Sequence, residues 1–183
     1  MTRKIFALLP LLLIGMLAMA QTGSDQKLTK AEKKALREEK REANLKKILK
    51  VVEAKEFVVE AHTFIDRRGL SIPINPTLNF VAIEEDEGII QLAFGNGPGL
   101  NGLGGITTDG KVLKYEITEK KKGIALTVRL FGSAFGATDI LLDINASGNT
   151  SVKVITLNGG RFTFNGTITG IEQSSVFQGT TIY

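Results

Sequence analysis

The sequence predicts an all-β domain behind an N-terminal helix: an antiparallel meander of about eight strands, barrel-like or packed as a sandwich. Three observations carry this. From Phe57 onward apolar residues recur at every second position, the period of a strand with one buried face. Clusters of Gly, Asn, Asp and Lys separate these runs at intervals that suit short hairpin turns. Before them, Thr29 to about Lys55 is rich in Ala, Leu, Lys, Glu and Arg and contains neither Gly nor Pro, a composition that favours helix.

The first twenty residues read as a secretory signal peptide. Arg3 and Lys4 give the positive start, and Ile5 to Leu17 is an apolar run too short for a comfortable membrane span. Ala18-Met19-Ala20 is the small-x-small pattern of a cleavage site, which places the cut before Gln21. The expected compartment is therefore the periplasm or the exterior. The chain has no cysteine, so disulfides, thiol catalysis, thiolate metal sites and lipidation at the cleavage site are all excluded. No later apolar run is long enough for a transmembrane helix.

Gln21 to Lys27 is a polar lead-in, and residues 21–56 form a unit distinct from the β domain at 57–183. Thr29-Lys30-Ala31-Glu32 matches a capping box at the helix start. Glu42 and Lys46 are ordered for an i,i+4 pair. Leu45, Ile48, Leu49 and Val52 form one apolar face of about two turns, whereas Arg37 to Glu42 is wholly charged. The second half is expected to pack on the domain and the first to project as a solvated stalk. Residues 24–56 hold eleven Lys/Arg and seven Asp/Glu, and residues 57–183 ten and twelve. The basic balance thus belongs to the helix, and the domain gives no reason to expect nucleic acid.

In the β domain, Glu60, His62 and Phe64 are expected on one strand face. Asp66 to Gly69 turns the chain. Phe80–Glu84 and Gly88–Phe94 read as a hairpin around Glu85-Asp86-Glu87. Thr108-Asp109-Gly110 is a turn signal before a strand in which Leu113, Tyr115 and Ile117 share a face. Ile124, Leu126, Val128 and Leu130 point one way on the next strand, and Ile140, Leu142 and Ile144 repeat the pattern. Turns at Lys120–Gly123, Ser147–Asn149 and Asn158–Gly160 follow, with Phe162, Phe164 and Ile168 facing inward on the last long strand.

The order of Phe57-Val58-Val59-Glu60-Ala61, Asn79-Phe80-Val81-Ala82-Ile83, Gln91-Leu92-Ala93-Phe94-Gly95, Ile144-Asn145-Ala146-Ser147-Gly148 and Arg161-Phe162-Thr163-Phe164-Asn165-Gly166 resembles the DUF4251 family, an exported domain of unknown function of Bacteroidetes. The resemblance covers residues 45 to 172 or so. It implies a cell-envelope location in a Gram-negative bacterium and no particular reaction. Members carry a Leu-Pro-Tyr-Phe-Gly-like segment where this chain has Leu92-Ala93-Phe94-Gly95, so the Pro and Tyr are replaced.

Candidate chemistry is sparse. Gly97-Pro98-Gly99-Leu100-Asn101-Gly102 matches G-x-G-x-x-G, but Leu103-Gly104-Gly105 and a β-like run follow where a nucleotide site needs a helix. The same segment is longer than a hairpin requires. It is either a plain mobile connection or a ligand or partner surface formed by Phe94, Gly95, Asn96, Gly97, Gly99, Leu100, Asn101 and Gly102. His62, the single histidine, lacks a nucleophile-elbow partner. Glu84 to Glu87 is an acidic turn rather than a calcium loop. Glu60, Asp139 and Asp143 are the only hint of a carboxylate pair. The three Asn-x-Ser/Thr matches, at Asn145, Asn149 and Asn165, are turn asparagines. No catalytic residue, metal or cofactor is expected. The reading is a non-enzymatic binding or interaction module whose partner is a small molecule, glycan, lipid or envelope protein. The alternatives are a structural envelope component, an outer-membrane β-barrel or a carboxylate-dependent hydrolase.

Overall fold

The computed structural model describes residues 29–95, 99–132 and 136–179; the expected signal peptide, with Ala18, Ala20 and Gln21, lies outside them. Helix α1 (Lys30–Ala54) precedes nine strands: β1 (Glu56–Ile65), β2 (Ser71–Pro73), β3 (Phe80–Glu84), β4 (Glu87–Ala93), β5 (Gly105–Lys120), β6 (Gly123–Gly132), β7 (Gly136–Asn145), β8 (Asn149–Thr156) and β9 (Arg161–Gly170). A 3₁₀ turn follows at Ile171–Gln173. All the strand pairings are antiparallel, and each strand from β3 on pairs with the next in sequence. Pairing of β1 with β9, from Phe57↔Gly170 to Ile65↔Thr163, closes the sheet. The fold is an eight-stranded barrel, with the short β2 added beside the end of β1.

The barrel interior is solid. Phe57, Val59, Val81, Ile83, Ile90, Leu92, Leu126, Val128, Ile140, Ile144, Val152, Val154 and Phe164 are all buried in one apolar cluster, as expected where eight strands leave room only for side chains. Closure demands tight bends, and glycine supplies them. A Cβ on Gly105 would lie 1.7 Å from the Leu92 carbonyl oxygen. Gly110 sits in mid-strand for the same reason: its Cβ would fall 2.9 Å from the Phe131 backbone. Thr108-Asp109-Gly110 is therefore not a turn but the interior of the 16-residue β5.

Two β-bulges change the alternation. One lies between Val112 and Lys114. It leaves Leu113 63% exposed while Val112, Tyr115 and Ile117 pack on the core, so Leu113 does not share the face of Tyr115. The other lies between Ala61 and Thr63. It leaves His62 on the outer face with Glu60 and turns Phe64 inward, opposite the buried Phe164, so His62 and Phe64 face apart. An extra residue on one strand reverses the sides of those that follow, which a strict period of two cannot anticipate.

The turns joining β3–β4, β5–β6 and β7–β8 lie at the end of the barrel where β1 begins, and α1 closes that end. Ile48 and Val52 enter the core cluster, with Leu45, Leu49 and Val51 packed against it. The Tyr115 hydroxyl donates to the Val52 carbonyl, and burial of its ring raises the phenol pKa. Asn44 Nδ2 donates to the Ala146 carbonyl at 2.8 Å. Lys55 takes the left-handed C-cap position at φ 57°, its carbonyl accepts from Glu85 N, and its ammonium meets Asp86 at 2.9 Å. At the far end of the helix the capping box forms as the sequence predicts, with Thr29 and Glu32 exchanging two bonds. That exchange holds the Glu32 carboxyl below its usual range, chiefly through the Thr29 backbone bond. The ion pair on the helix joins Arg41 to Glu38 rather than Glu42 to Lys46. From Thr29 to Ala43 every residue is exposed.

Past β9 the chain runs as a strap over the outside of β1, β3 and β4. Val176 and Ile171 pack on Val58, Phe80 and Ala82. Ser174 Oγ donates to Glu60 at 2.7 Å, and Phe177 N donates to the Thr77 carbonyl.

Candidate functional site

The glycine-rich loop between β4 and β5 is held to the barrel by its own side chains. Asn101 is 1% exposed. Its carbonyl accepts from the backbone of Leu103 and Gly105 at 2.9 and 3.0 Å, and its amide donates to Thr107 Oγ1 at 3.1 Å. Thr107 in turn donates to Gln91 Oε1 at 2.8 Å. Gln91, fully buried on the outer wall, also donates to the Phe177 carbonyl and accepts from Gly179 N, each at 2.7 Å. Loop, wall and strap thus share one polar network, in which each buried amide group has a partner.

Gly95 N donates to Gly104 O, and Gly99 and Gly102 take positive φ. Phe94, 47% exposed, rests against Phe64 with ring centroids 4.7 Å apart, and Leu100 is 72% exposed. Asn96 and Gly97 lie outside the described residues. The described part of the loop is therefore an anchored ridge that presents Phe94 and Leu100, with Asn101 turned inward as its brace. Nothing in the sequence distinguishes Asn101 from an exposed loop amide; only Gln91 and Thr107, brought alongside by strand pairing, reveal its role.

A large concavity lies elsewhere. It is an open trough of about 1010 Å³ across the outer wall from β6 to β9, reaching His62 on β1. Leu141, Ala125 and Gly166 contribute apolar floor, and Asn149, Ser151, Lys153 and Asn165 line it with polar groups. Among the described residues these four side chains make no hydrogen bond or ion pair to the protein. His62 Nδ1 is occupied by Thr63 Oγ1 at 3.0 Å, which leaves Nε2 free. Asn145 bridges its own turn, accepting from Ser147 N and Asn149 N. Strand alternation produces this lining: the neighbours of each inward Leu142, Ile144, Val152 or Phe164 point out.

The three carboxylates do not form a pair. Glu60 lies under the strap, held by Ser174. Asp139 is gripped by the Arg129 guanidinium at 2.6 and 2.9 Å, a bond that pulls its carboxyl below the ordinary range and raises the Arg129 pKa. Asp143 meets Lys120 at 2.7 Å. Asp139 and Asp143 are four residues apart on one strand, or about 13 Å, beyond the separation a glycosidase uses. The described residues contain no group of three His, Cys, Asp or Glu side chains able to hold a metal, and no helix among them is long and apolar enough to cross a membrane. The wall polarity is also the reverse of a membrane barrel's, with apolar side chains inside and Arg129, Asp139, Asp143 and Lys153 outside.

A family profile described as a domain of unknown function, DUF4251, matches residues 39–168. No curated protein matches. Among solved structures, the crystal structure of a DUF4251 family protein from Bacteroides eggerthii DSM 20697 at 1.95 Å resolution is similar, with 28% sequence identity and a TM-score of 0.62 over 74% of this chain and 93% of that one. The matched span takes in the docked half of the helix and nearly the whole barrel, and the chain belongs to the DUF4251 family.

Proposed function

We propose that the protein is an exported, non-enzymatic recognition module of the cell envelope that binds a glycan in the trough on its outer wall. The observation that carries this reading is the convergence of the unpaired groups of Asn149, Ser151, Lys153 and Asn165 over an apolar floor. Neutral amides and hydroxyls match the hydroxyls of a sugar, and an apolar floor matches its C–H face. A carrier that encloses its ligand fits poorly, because the barrel interior is filled by its own side chains. The N-terminal pattern from Arg3 to Ala20 supports export.

The test is binding of the chain from Gln21 onward to an array of envelope glycans, repeated with Asn149→Ala, Ser151→Ala and Asn165→Ala combined. Retention of a glycan by the parent, weakened at least tenfold in the variant at unchanged melting temperature, is the expected result. Equal retention by both proteins, or none by the parent, removes the trough from consideration. A second reading, docking of an envelope protein on the ridge, rests on the exposure of Phe94 and Leu100. Phe94→Ser with Leu100→Ser would then abolish partner capture and leave glycan binding unchanged.

A further inference from the structure

The exposed half of α1 looks unremarkable in sequence, where acids and bases alternate from Lys30 to Glu42. Wound at 3.6 residues per turn, they separate. Lys30, Lys33, Lys34, Arg37, Lys40 and Arg41 fall within about 120° of arc and extend for about 17 Å, while Glu32, Glu38, Glu39 and Glu42 occupy a second arc of about 120°. All ten side chains belong to exposed residues. The basic arc is in line with Asn44, Ile48 and Val52, the residues that face the barrel farther along. The stripe is therefore the continuation of the docking face, past the point where the barrel ends.

That point coincides with one end of the trough. Asn44 bonds to the carbonyl of Ala146, and the preceding residue, Asn145, lines the trough. A chain lying in the trough and leaving it past Asn145 would meet the helix on its basic side. We propose that the stripe binds the acid groups of an acidic polysaccharide whose sugar units occupy the trough; this rests on the glycan reading above. A row of six cations on a rigid rod suits a linear polyanion, since each added contact strengthens attraction without ordering a new segment of protein. A flat bilayer suits it less, because the stripe faces the side on which the barrel stands and the β7–β8 end would obstruct close approach. A second copy of the chain suits it less too. Glu32 is engaged in the capping box and Glu38 with Arg41, which leaves Glu39 and Glu42 to oppose the other five bases.

The experiment uses the chain from Gln21 onward with alginate as the probe, neutral dextran and vesicles containing anionic phospholipid as comparisons, and sedimentation velocity for self-association. The parent should bind alginate at 20 mM salt and lose at least tenfold in affinity at 300 mM. Lys33→Gln, Arg37→Gln and Lys40→Gln combined should weaken alginate binding at least tenfold at 20 mM salt, with unchanged helical circular dichroism. Glu39→Gln with Glu42→Gln should retain or strengthen it. Equal binding by the parent and the Lys/Arg variant overturns the proposal, as does binding to vesicles in preference to alginate. So does a result in which the Lys/Arg substitutions only dissolve a dimer. The trough variant separates the two readings. If it binds alginate normally while the Lys/Arg variant does not, the stripe stands and the trough fails; the opposite pattern refutes the stripe.

Discussion

The two halves of α1 share one continuous backbone, yet they use the same face for opposite ends. From Asn44 to Lys55 that face is apolar and closes the barrel through Ile48, Val52 and the Tyr115 hydroxyl. From Lys30 to Arg41 it is basic and exposed along its whole length. Burial decides which half belongs to the cooperative fold. A buried apolar side chain contributes about 1.5–3 kcal/mol, while an exposed pair such as Glu38–Arg41 contributes about 0–1 kcal/mol. The docked half is thus part of the domain, and the free half is helical mainly through composition and its cap.

Four substitutions would break or sharpen that division. Val52→Asp places an unpaired carboxylate where the parent residue is fully buried and should cost at least ~3 kcal/mol. A urea midpoint close to the parent's would show that the helix does not close the core. Tyr115→Phe removes the donor to Val52 and should cost about 1 kcal/mol by the same measurement. Asn44→Ala tests the junction, with an expected loss of about 1 kcal/mol or somewhat less; no loss at all would move the boundary of the docked half toward Ile48. Thr29→Ala should have the smallest global effect, below about 0.5 kcal/mol, although the cap itself is worth about 1 kcal/mol to the local helix. Its signature is faster amide exchange confined to the first turns. Any drop in the urea midpoint comparable to that of Tyr115→Phe would place the free half inside the cooperative unit.

Much of this architecture is legible in the chain because it rests on local periodicity. The capping box at Thr29, the inward run from Ile124 to Leu130 and the turns around Lys121 and Gly148 are each specified within a few residues. What escapes is set at longer range. Closure of the barrel depends on β1 meeting β9 across a hundred residues. The orientations of Leu113 and Phe64 depend on bulges that appear only against a partner strand. The trough was still harder to foresee, since Asn149, Ser151 and Asn165 look like any solvated strand or turn residues until β7, β8 and β9 lie side by side. Asn101 misleads for the converse reason: an amide in a glycine-rich loop reads as exposed, and only Thr107 and Gln91 make it a buried brace.

The strap gives Gln91 an unusual dependence on time. Its carboxamide, buried in the wall, is shared between Leu78 and Thr107 in the barrel and Phe177 and Gly179, 86 and 88 residues downstream. The barrel strands precede the strap in the chain, so until residues 171–179 settle on the wall the Gln91 amide lacks two of its partners and the patch of Val58, Phe80 and Ala82 is wet. Docking of the strap is thereby coupled to protection of that patch. A molecule cut before Ile171 would expose an apolar seam beside a loop that has lost part of its brace, a ready mark for proteases, whereas the docked strap hides it.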